Sequence, residues 1–97
     1  MIFKNQKQLF EYIWESRSHI SELTGKPLLN QNHTKWHWQF LHILPKGSYP
    51  KYKFNPENII LALPEEHEKQ EFYPEFIRRR NELRQKYYEE FYGKVFD

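Results

Sequence analysis

The chain has 97 residues, a formal charge of +2 with its histidines neutral, a 19% aromatic share and no cysteine. That length is one domain's worth and excludes a second, and the missing cysteines exclude a disulfide framework and a thiolate zinc site, leaving His, carboxylate and amide groups as metal ligands. The charge is too mild to announce a nucleic-acid partner by itself, no apolar run reaches the ~20 residues of a membrane span, and no signal-peptide pattern opens the chain, so a cytoplasmic protein with no membrane partner is expected.

In chain order, Asn5 can cap a helix and Leu9, Phe10, Ile13 and Trp14 follow at helical spacing. This predicts an amphipathic helix over 5–16 whose apolar stripe is core. Thr24-Gly25 and Lys26-Pro27 punctuate residues 18–29 as a small hairpin, and polar residues 30–35 read as a loop. Trp36, Trp38, Phe40 and His42 alternate, which predicts a strand with all four on one face, His42 carried inward and the Trp pair in the core rather than on a base-stacking platform. Residues 45–56 hold three prolines, a glycine and Lys46, Lys51 and Lys53, an exposed basic loop. Residues 58–63 are a buried strand, and Pro64, Glu65 and Glu66 start a helix on which His67 and Glu71 share a face. Pro74 interrupts it, and Phe76, Leu83, Tyr87 and Phe91 continue at a helical period to about residue 92. The expected fold is α+β: one domain over 1–97, with a small antiparallel β-hairpin plus helix (core about 18–72) flanked by an N-terminal helix and a long C-terminal helix (about 74–92).

A strand with an inward His, a basic loop, a strand opening at Asn and a helix carrying His is an order that resembles the HNH endonucleases, whose core is the ββα-metal or His-Me finger. The residues that carry the likeness are His42-Ile43-Leu44-Pro45, Asn58-Ile59 and His67, with Asn58 16 residues after His42 and His67 9 residues after Asn58. It reaches further back. Ser21, Thr24, Leu63 and Glu66 stand where many relatives carry the cysteines of a zinc knuckle, in the segments Ser21-Glu22-Leu23-Thr24-Gly25 and Leu63-Pro64-Glu65-Glu66-His67.

The resemblance implies metal-dependent hydrolysis of DNA phosphodiester bonds, in which a base deprotonates water and a cation stabilises charge on the phosphate. It assigns the base to His42, the bracing of the interstrand loop to Asn58 and the metal to His67. Glu71, one turn beyond His67, is a second ligand suggested by spacing. Leu41 departs from the family, since many relatives place a metal-binding Asp or His immediately before the base. Either Glu71 or Glu66 supplies that oxygen, or the cation is weakly held, or the nuclease is degenerate. Mg2+ is the first choice of metal, with Mn2+, Zn2+ and Ni2+ as alternatives. Lys46, Lys51, Lys53, Arg78 and Arg79 are candidates for phosphate contact, against a plainer reading in which Glu75, Glu82, Glu89 and Glu90 pair with the helix cations. Plainer readings also stand beside the site: a hydrogen-bonded core histidine at 42, a turn residue at 58, a solvated helix residue at 67 and an exposed carboxylate at 71. Five residues of extended strand would separate His37 from His42 by about 16 Å, which sets His37 aside as a ligand. A small nuclease of this kind suits a phage or mobile element, and a homodimer or larger phage or host complex is left open. Two further readings remain: a degenerate HNH module that binds nucleic acid or a protein partner, and an unrelated helical adaptor in which 36–63 form no antiparallel pair.

Overall fold

The computed structural model describes residues 3–96, with side chains as far as residue 90. Helix α1 spans Gln6–Ser16, and the Asn5 side chain accepts from the Gln8 amide at its start. Leu9, Phe10, Ile13 and Trp14 form its buried stripe, as their spacing requires. Residues 18–29 fold back on themselves through one bridge, Ile20 to Pro27, rather than through full strands. Gly25, at φ +79°, makes the turn in the left-handed region that glycine enters without strain.

Strands β1 (Phe40–His42) and β2 (Ile59–Leu61) pair antiparallel, with Phe40 opposite Leu61, Leu41 opposite Ile60 and His42 opposite Ile59. This pair excludes the helical-adaptor reading. Both strands are shorter than the sequence predicts. Residues Trp36–Gln39 are a 3-10 turn, not the first half of a strand, so that Trp36 still packs on Phe40 but Trp38, expected in the core, is 59% exposed. Gln39 explains the difference. It is 0% exposed, and its amide accepts from the Leu29 nitrogen at 2.6 Å and donates to the Leu29 carbonyl at 3.1 Å. A strand alternating from Trp36 would turn this amide outward and leave that backbone unpaired.

The hairpin separates two apolar clusters. One holds Phe40, Ile59 and Leu61 against the α1 stripe; the other holds Leu41, Ile60 and Ala62 with Phe76 and Leu83. The latter two belong to α3, Pro74–Phe96, which supplies the expected long C-terminal helix. The Phe91 side chain, expected on its apolar stripe, lies outside the described residues. Helix α2, Pro64–Glu68, is short: Lys69 leaves the helical region, and a 3-10 turn over Gln70–Phe72 leads into α3. His67 and Glu71 therefore do not stack on one helical face, a correction to the spacing argument.

The outer edge of β2 is closed by a side chain. Glu22 donates its amide to the Leu61 carbonyl at 2.7 Å, and its carboxylate accepts from the Leu61 amide at 2.8 Å. Open strand edges invite pairing with other chains, and this contact blocks one.

Candidate active site

His42 ends β1 on the same face as Phe40, with its ring centroid 6.3 Å from that of Phe10 on α1. Its Nε2 is buried and has no hydrogen-bond partner. Burial holds the imidazole down to about 4; the Lys46 ammonium and His67 push the same way, and the Lys53 backbone favours the charged ring. Neutral imidazole is thus the form present at neutral pH. A ring that donates from Nδ1 to a carbonyl keeps its lone pair on Nε2.

His67 sits in the last turn of α2 and is built alike. Burial lowers it, against the Gln39 and Ala62 carbonyls and the Glu66 carboxylate, and its Nε2 is also buried and unpartnered. Gln39 and His42, the backbone neighbours of the two rings, lie three residues apart along the chain, about 10 Å if extended. His67 is the weakest of the influences that lower His42. Trp36 Nε1, Tyr52 Oη and Arg80 Nε are likewise buried without a partner among the described residues, and an ion or an ordered water is a common explanation of such groups.

Asn58 closes the short 3-10 turn Pro56–Asn58 immediately before β2 and is 0% exposed. Its Oδ1 accepts from the Leu44 amide at 2.7 Å, and its Nδ2 donates to the carbonyls of Leu44 at 3.1 Å and Tyr52 at 3.3 Å. The interstrand loop is thereby tied to the exit of β1, two residues beyond His42.

The other candidates are placed differently. Leu41 is buried in the α3 cluster. Glu71 is exposed and bonded to Arg80, which lowers its pKa. Glu66, 3% exposed, accepts from Ser21 Oγ at 2.5 Å, Thr24 Oγ1 at 2.6 Å and the Leu63 amide at 2.9 Å. Burial raises its pKa, but these donors and Lys26 outweigh it, so it stays ionised below the usual carboxylate range. The four positions matched to knuckle cysteines thus meet around one carboxylate. Both carboxylates offered in place of the residue missing at 41 are engaged elsewhere, and no group of three His, Cys, Asp or Glu side chains able to hold a metal gathers among the described residues.

The cations divide into two sets. Arg78 bridges Glu75 and Glu82, and Arg79 bridges Glu75 and Glu22, so both helix arginines are already paired. Lys51 bonds Glu90 on α3. Lys46 instead meets the neutral amide oxygen of Gln6 at 2.6 Å, and Lys53 lies 4.8 Å above the Phe54 ring. Sequence reasoning missed Arg17, which donates to Glu22 and to the Ile59 and Pro56 carbonyls at 2.7 and 2.8 Å. No spacing signals such a contact. Comparison with models of known families, with curated proteins and with solved structures finds no match to this chain.

Proposed function

We propose that the chain is a metal-dependent HNH-type endonuclease core acting on DNA, with His42 as general base and His67 as the residue that holds a divalent cation. The observation that carries this reading is the pair of histidines at the motif positions whose buried Nε2 atoms lack partners. The orphaned His67 nitrogen would suit a cation that accepts imidazole, with water and a substrate phosphate as its other ligands, while the His42 nitrogen stays free to act as base. With Glu66 and Glu71 engaged, nitrogen donors favour Mn2+, Zn2+ or Ni2+ over Mg2+. Such an ion would stabilise charge on the phosphate and on the leaving oxygen. His42 would take the proton of the attacking water at Nε2. A phosphate anion beside it raises its low basicity toward the working pH. Asn58 would keep the loop fixed so that the ring stays aimed. Lys46 and Lys53 would meet flanking phosphates.

A second reading is favoured by the buried leucine at 41 and by the lack of a three-residue ligand group: the fold kept as a binding module without catalysis. Plasmid nicking in the presence of Mn2+, Zn2+, Ni2+ or Mg2+ separates the two. Metal-dependent nicking that His42→Ala and His67→Ala each abolish supports the nuclease. Nicking that survives in His42→Ala refutes the base assignment, and no nicking with any metal leaves the binding module.

A further inference from the structure

We infer that Trp38 is a stacking platform for an unpaired nucleobase beside the scissile phosphate, so that the preferred substrate is DNA carrying a single-stranded, gapped or flapped nucleotide there. This inference rests on the nucleic-acid reading of the site. Trp38 is 59% exposed, whereas Trp36 packs edge-on against Trp14 and Phe40, and Gln39 is fully buried. The 3-10 turn causes this division: at three residues per turn, 36 and 39 face the core together and 38 cannot. The neighbouring His37 ring lies edge-on to the indole at 5.9 Å.

Its position ties it to the site. Trp38 immediately precedes Gln39, whose carbonyl bears on His67, and the turn packs against α2. The residue that follows Trp38 thus lies at the His67 ring, so that a strand stacked on the indole adjoins the site. Lys35 immediately precedes the turn and supplies a cation beside it; Lys46 and Lys53 belong to the loop after β1, and none of the three is ion-paired with a carboxylate among the described residues. A large exposed aromatic beside cations is how proteins hold single strands, because every base offers a π-face. In an intact duplex those faces are already stacked, which restricts the contact to unpaired bases.

The test uses the full chain carrying His42→Ala, so that binding is read without cleavage, and labelled oligonucleotides that are single-stranded, gapped or fully duplex. Adding Trp38→Ala should weaken binding to the single-stranded and gapped probes by about 5- to 100-fold and to the duplex by less than about 3-fold. Trp38→Phe should recover most of the loss, and an abasic nucleotide at the stacking position should make Trp38→Ala neutral. Equal losses on all probes, no loss on any, or no binding of nucleic acid at all would overturn the inference, the last leaving this face to a protein partner. Cleavage by the parent protein with unchanged Trp38→Ala affinities would sink the platform alone, and stacking without cleavage would sink the nuclease alone.

Discussion

Asn58 grips the Leu44 peptide from both sides, accepting from its nitrogen at 2.7 Å and donating to its oxygen at 3.1 Å. A backbone segment held in this manner behaves like one rung of a ladder, although the partner is a side chain. The 42–44 segment thus owes its path to a residue beyond the loop, which couples the loop's stability to the direction of the His42 ring.

Asn58→Ala should therefore be strongly destabilising, by about 3 kcal/mol, because it takes the side-chain partner from the buried Leu44 amide and carbonyl, although the Tyr52 carbonyl keeps the Asn55 amide. Urea denaturation of the purified protein measures it. A loss below about 1 kcal/mol would mean that water replaces the side chain.

The Glu66 node predicts that this knuckle folds without metal. Its carboxylate satisfies two hydroxyls and one backbone amide where relatives of the resembled family use thiolates and zinc. Chelators should leave the melting temperature unchanged, whereas Glu66→Ala should cost about 3 kcal/mol and Glu66→Gln less, since the amide keeps one acceptor. A melting temperature that falls on adding EDTA would contradict this account of the knuckle.

Stability should depend on pH in a window set by the histidines. Burial lowers His42 to about 4 and moves His67 below its ordinary 6.5. The unfolded chain takes up these protons first, so this contribution is complete above pH 6.5 and is lost as pH falls from there toward 4. Allowing for the rings' partial exposure, the loss for His42 is about 1–2 kcal/mol. Glu22 and Glu66, whose donors outweigh burial, and Glu75, held to about 2 by Arg78 and Arg79, add losses of the same sign only below about 4.5. Thermal melts should be flat from pH 8 to 6.5 and then decline, and His42→Asn should flatten the upper part of the decline. A wild-type melt unchanged between pH 7 and 5 would contradict the burial of these rings.

The arginines of α3 and the loop lysines should differ in their salt response. Lys46→Ala and Lys53→Ala should each reduce the slope of log affinity for DNA against log salt by about 1. Arg78→Ala should leave it unaltered, since two carboxylates already neutralise that side chain. Arg79→Ala should act on stability instead, because it removes a partner of the half-buried Glu22. Equal slopes for Arg78→Ala and Lys46→Ala would refute the division.

The α1 stripe, the aliphatic strand β2 and the long last helix were legible because each is an apolar pattern with a recognisable start: Asn5, Asn58 and Pro74. Trp36 and Trp38 misled because alternate aromatics read as a strand, while Gln39 and its partner Leu29 decide the matter through a contact that no local pattern encodes. Likewise nothing in Glu68-Lys69-Gln70 marks the end of α2, so the pairing of His67 with Glu71 was drawn on a helix that stops too soon. The places of His42, Asn58 and His67 came from motif order and spacing. The Glu22 and Arg17 contacts join chain segments far apart and could be seen only in three dimensions.

The most direct measurement of the central claim is anomalous scattering from crystals soaked in Mn2+ or Zn2+. A peak is expected about 2.0–2.2 Å from His67 Nε2 with the His42 ring facing it across the same gap. Density at neither ring, or coordinates with the two imidazoles directed away from one another, would contradict that claim.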